Sequence, residues 1–248
     1  MSDTSNAHCK NCGSVLTDNF CAHCGQSAAV DSITFKETLG DFMNTVFSVD
    51  APFVITLKLL LVNPGKLFRE YLDGKRKTYY KAVPFFILMS LIHILIRSVI
   101  SFDALAGIKA TPDNGPDYTL ILDAGRFMFN NINNFLFFFV FSLGLTLKIF
   151  FYKKYTLAEY IAVSFYIIGA YTILGNLNVL FMKFVNSEIQ FLALLFMVVY
   201  VIYALVSFFK TNKIWVAIKG FIAYLMGMIL YMILAFGLSF VIIWIKNN

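Results

Sequence analysis

Four cysteines fall within sixteen residues, as Cys9-Lys-Asn-Cys12-Gly13 and Cys21-Ala-His-Cys24-Gly25, and none occurs elsewhere in the 248-residue chain. Each Cys-x-x-Cys lets two thiolates from one tight turn reach the same ion, and the glycine after each second cysteine permits the positive φ that such a knuckle needs. The eight-residue spacer is shorter than that of a full zinc ribbon, so the expected unit is two knuckles clamped on one structural zinc held by Cys9, Cys12, Cys21 and Cys24. Metal would then supply most of its folding free energy, of order 10 kcal/mol in small zinc peptides. His8 and His23 flank the cluster as possible substitute ligands, but four thiolates already complete a tetrahedral site. They also leave no open position for catalysis.

A second group of chemically capable residues lies at 64–84, Pro-Gly-Lys-Leu-Phe-Arg-Glu-Tyr-Leu-Asp-Gly-Lys-Arg-Lys-Thr-Tyr-Tyr-Lys-Ala-Val-Pro. Six cations and three tyrosines gathered there match a chain meeting an anionic membrane face. Arg69, Lys75 and Arg76 are its candidates for gripping a lipid phosphate. A third group consists of polar residues among apolar ones. His93 and Arg97 lie one helical turn apart, and Asn176 and Asn178 flank Leu177. An ionisable group at membrane depth costs about 3 kcal/mol on insertion scales and is a functional hypothesis by default. Against it stand snorkelling for Arg97, a single hydrogen bond for a neutral His93, and interhelical hydrogen bonding for the asparagines.

The elements that must position these groups follow from composition. With 59% hydrophobic residues, 28 phenylalanines and 14% charged residues, the chain does not describe a soluble globule. It predicts an all-α membrane protein, with five spans near 82–102, 132–152, 160–182, 189–209 and 220–245 forming a transmembrane bundle. The cysteine unit occupies 1–30, and amphipathic helices with the basic juxtamembrane segment occupy 31–81. Paired cysteines favour metal and a reducing compartment, and the first thirty residues lack a signal-peptide core. A cytosolic N-terminus is therefore expected. Eleven cations near the membrane then fall inside and four outside, as the charge bias of insertion requires. The net charge of +6 is thereby assigned to membrane orientation, with no nucleic-acid partner expected.

Between knuckle and spans, Phe35, Leu39, Phe42, Met43, Val46 and Phe47 recur at helical steps after a Thr34/Glu37 capping box. A second helix, Phe53 to Val62, is apolar almost all round and too short to span. The two could form a soluble pair, but with little soluble chain to cover them the membrane interface is the expected location. The loop 103–131 and the C-terminus would face outside. Glu159 is expected to pair with Lys153 or Lys154.

The double knuckle ending in Cys-Gly-Gln, a short helical lead and the 64–84 motif together resemble a bacterial family catalogued as domain of unknown function 3667. Pro64, Gly65, Arg69, Tyr71, Leu72, Gly74, Arg76, Tyr80 and Pro84 carry the match. The resemblance implies an integral membrane protein of Bacteroidota-type bacteria, and the family name implies no particular activity. A topological similarity to Yip1-like five-span proteins rests on no motif. No nucleophile elbow, zinc-protease helix, phosphate loop or dinucleotide fingerprint occurs, so a non-enzymatic scaffold or interaction protein is expected, binding the bilayer and an unknown protein. The alternative is a transport or lipid-handling protein using the seam and His93/Arg97.

Overall fold

The computed structural model describes residues 8, 9, 11–24, 51–100, 116–131, 134–184 and 192–247. The amphipathic helix expected after Thr34 lies outside these residues. The chain divides into two compact units, Met1–Ser48 and Val49–Asn248. In the first, His8 and Val15 form an antiparallel bridge. The second is entirely helical over its described residues.

Its described residues form eight helices: α1 Ala51–Val62, α2 Pro64–Leu72, α3 Ala82–Ile100, α4 Pro116–Asn130, α5 Leu136–Phe150, α6 Leu157–Phe184, α7 Leu192–Phe208 and α8 Lys213–Asn247. Three of them, over Ala82–Val99, Leu157–Phe181 and Lys213–Asn247, are long and apolar enough to cross a membrane. The spans expected at 132–152 and 189–209 appear over the described residues as α5 and α7, of 15 and 17 residues, apolar helices that are not among those three. Most of the 103–131 stretch, expected as a loop, is described from residue 116 and folds there as α4. Ala124 and Met128, one turn apart, are buried, and α4 packs along α8. A mixed polar-apolar face carries a helix that composition alone assigned to a loop.

Helix pairing explains which residues are inside. α3 packs on α6, α5 on both α6 and α8, and α7 on α8. The buried face of α8 runs Val216, Gly220, Ala223, Tyr224, Gly227, Tyr231, Ala235, Ser239, a three- and four-residue rhythm dominated by small side chains. Such a stripe lets helices approach closely where dispersion rather than water exclusion drives association. At Gly227 a Cβ would lie 3.3 Å from the Cα of Leu143 on α5. The opposite face of α8 exposes Ile229, Ile233, Trp244 and Ile245.

α1 and α2 are packed components of this unit. Leu60, Leu67 and Phe68 are fully buried, α2 lies against α7, and α1 touches α2 and α6. α6 begins with Thr156 as its cap: the Glu159 carboxylate accepts hydrogen bonds from the Thr156 backbone N–H at 2.6 Å and hydroxyl at 2.9 Å. Glu159 thus completes a capping box in place of the expected ion pair with Lys153 or Lys154.

Candidate functional sites

The four thiols converge. Cys9 and Cys21 are buried, Cys12 and Cys24 exposed, and none of the four is in a disulfide. The Cys9–Cys24 and Cys12–Cys21 sulfurs are each 3.6 Å apart, and all four lie within 4.8 Å of one another. A tetrahedron with metal–sulfur bonds near 2.3 Å has edges of about 3.8 Å, so the donor set fits a single four-thiolate metal ion. The turn that builds it has Gly13 at φ 74°, the left-handed conformation expected there. Gly13 N–H donates to the Cys9 carbonyl at 2.9 Å, and Cys9 N–H to that of Ser14 at 2.8 Å. Cys12 also sits 3.3 Å from the Ser14 hydroxyl. Hydrogen bonding from the Ser14 side chain, then its backbone, brings the Cys12 thiol down to about 5, favouring the thiolate that metal requires. His8 Nδ1 is 3.0 Å from the Gly13 carbonyl oxygen.

The basic seam is built differently from a string of free cations. Asn63 caps α2, its Oδ1 accepting the Lys66 N–H at 3.1 Å and the Ser207 hydroxyl at 3.0 Å. The Gly65 N–H donates to that hydroxyl's oxygen at 3.1 Å. Pro64 and Gly65 are buried, and a Cβ on Gly65 would collide with the Ser207 carbonyl. Only glycine lets α2 come this close to the end of α7. One turn on, Arg69 Nη1 donates to the carbonyls of Ser207 at 2.5 Å and Phe208 at 2.9 Å. A guanidinium on the last carbonyls of a helix satisfies orphan acceptors and opposes the dipole.

Glu70 collects the other polar groups. Its Oε2 accepts from the Tyr79 hydroxyl at 2.6 Å and Lys75 at 3.1 Å, while Lys66 stands 3.9 Å from Oε1. The Tyr79 hydrogen bond first, then Lys75, holds the Glu70 carboxyl below its usual range. Burial, then the Glu70 contact, pushes the Tyr79 phenol up to about 12. Of the phosphate candidates, Arg69 is therefore committed to α7 through one nitrogen and Lys75 to Glu70. Arg76 is exposed, 6.0 Å over the Tyr71 ring. The three do not form one pocket. A polar hollow of about 560 Å³ instead groups Arg69 with Asn63, Lys66, Glu70, Asp73 and Lys210. Lys210 lies too far along the chain for any sequence signal to place it there. The spacing of Asn63, Lys66 and Asp73 around α2 is legible in retrospect.

Among the intramembrane candidates, His93 Nδ1 and Asn176 Oδ1 are 2.5 Å apart, linking α3 to α6, and both residues are buried. Asn178 lines a separate, mainly apolar hollow with Leu174, Leu177, Phe181 and Phe196. Arg97 lies half-buried on α3. The hollow lined by Asn178 includes none of the other three.

Over the described residues, fold and sites define a helical unit with membrane-length helices and, apart from it, a four-cysteine cluster. Residues 50–94 match the family described as Protein of unknown function (DUF3667), the family that the 64–84 motif resembles. No curated protein and no solved structure matches the chain, and nothing in these comparisons supports the Yip1-like similarity. The matched stretch covers α1, α2 and the first part of α3, including Asn63, Gly65 and Arg69, the residues by which α2 meets α7.

Proposed function

We propose that the protein is a non-enzymatic scaffold or interaction module of the bacterial inner membrane. Its helical unit would form a five-span bundle, with the four cysteines holding a structural zinc on the cytosolic side. The observation that carries this reading is Arg69. The motif's central arginine spends Nη1 on two helix-end carbonyls of α7, which makes it a fastener of architecture. The same logic runs through the motif. Gly65 admits the close approach, and the Tyr71 ring meets that of Tyr166 edge-on. The Tyr80 carbonyl accepts the Tyr166 hydroxyl at 2.5 Å. A closed four-thiolate site likewise suits a structural ion, and zinc suits four thiolates.

The test uses full-length protein in membranes, comparing wild type with Cys12→Ser at matched abundance. Wild type is expected to hold one zinc and to cross-link a defined set of partners, while Cys12→Ser loses stoichiometric zinc and part of that set. Full zinc in Cys12→Ser contradicts the ligand assignment, and an unchanged partner set removes the knuckle from any interaction role. The transport alternative has the His93–Asn176 pair in its favour. Saturable solute flux in proteoliposomes, abolished by His93→Ala in a folded protein, would decide for it.

A further inference from the structure

The polar hollow beside α2 has three properties that the scaffold reading leaves unused. Its volume of about 560 Å³ is in the range of small-ligand sites. Its charge is unbalanced. Lys66, Arg69 and Lys210 face Asp73 and Glu70, and Glu70 is already matched by Lys75 at 3.1 Å and Tyr79 at 2.6 Å, with Lys66 more loosely paired to it at 3.9 Å. One of its donors is also preorganised. The two α7 carbonyls pin Arg69 through Nη1, and among the described residues its Nε and Nη2 have no further hydrogen bond. Lys210 likewise has no ion pair among the described residues. A guanidinium fixed before binding loses little entropy on meeting an oxyanion.

Leu61 and Val62, the last two residues of α1, adjoin Asn63 at the edge of this hollow, and both are more than half exposed, at 53% and 66%. A cationic recess with an apolar shoulder fits an amphiphile whose charged group is a phosphate. We infer that this hollow binds a phosphate group through Lys66, Arg69 and Lys210, carried by an anionic phospholipid headgroup or as free inorganic phosphate. The inference goes beyond the scaffold reading and does not rest on it. It also differs from a grip by Lys75 and Arg76, which lie outside the hollow.

The experiment uses the full chain with two double variants of equal charge loss, Lys66→Ala/Lys210→Ala in the hollow and Lys77→Ala/Lys81→Ala outside it. All four lysines are exposed, and melting curves check that each variant is folded. Native mass spectrometry measures retained phosphatidylglycerol against phosphatidylcholine, and calorimetry measures inorganic phosphate. Phosphatidylglycerol retention is expected to fall about fivefold or more in the hollow variant and to hold in the control. If phosphatidylglycerol is equal in both variants but phosphate binding is lost only in the hollow variant, the phosphate-group assignment stands with the free ion as ligand. Equal losses in both variants would reduce the effect to diffuse surface charge and overturn the inference. So would no loss of either probe in the hollow variant.

Discussion

Glu70 shows how one carboxylate can organise a cationic segment. Its folded-state titration lies below the ordinary value near 4.5 because Tyr79 and Lys75 bind the charged form. A depressed carboxyl contributes stability above its unfolded value, and that contribution is lost as pH falls through the folded one. Detergent-solubilised wild type should therefore lose melting temperature as pH drops below about 4.5, and Glu70→Gln should show a shallower slope there with a lower plateau at neutral pH. Identical slopes would show that Glu70 is not bound as described. Tyr79 has the opposite sign. Its phenol is raised from 10 to about 12, so its contribution is intact below pH 10 and disappears between about 10 and 12. At this scale the cysteines were legible because their spacing is local, and they do converge. Arg69 was legible as important but not as to its partner, since Ser207 lies 138 positions away.

The latch between α2 and α7 belongs to elements rather than residues. Asn63, Gly65 and Arg69 together fasten a nine-residue helix, too short to be stable alone, onto the end of a longer one. Gly65→Ala would force the two helices apart, at about 3 kcal/mol for an overpacked contact that cannot relax without moving backbone. Gly125→Ala on α4, where a Cβ would meet nothing within 4 Å, should instead be neutral or slightly stabilising. Thermal melts of the two variants in one detergent check the contrast, and equal effects would contradict the close approach. Helix positions were readable from apolar runs, and the breaks at Asn63-Pro64 and Asp73-Gly74 fall where turn chemistry placed them. α4 was not readable as a helix, because its stabilisation comes from packing along α8. Glu159 was misassigned because a charge pair and a capping box look alike until the helix start is known.

For the molecule as a whole, the cations of the seam and of two turns line two hollows. Lys210 joins Lys66 and Arg69 at the hollow, while Lys153, Lys154 and Lys219 line a second hollow of about 380 Å³ with Trp215. Lys148 Nζ donates to the Tyr152 and Tyr155 carbonyls at 2.7 and 2.9 Å in the same α5–α6 turn. The insertion bias predicts that these residues face the cytosol. Single cysteines at Lys77, Lys154 and Lys213 in a protein lacking the native four should thus be protected from an impermeant maleimide in intact cells, with a cysteine at Lys246 labelled. Labelling of the first three would invert the topology. α8 adds a constraint of another kind. Between Lys219 and Lys246 it has no charged residue, which is roughly 39 Å of apolar helix. A hydrocarbon layer of about 30 Å accommodates that length only if the helix leans by about 40°, at the steep end of what spanning helices adopt, or if the surrounding lipid thickens. Membrane thickness thereby becomes a variable to which this protein responds: thicker bilayers would let α8 stand more upright, and the small-residue stripe that holds α4, α5 and α7 would turn with it.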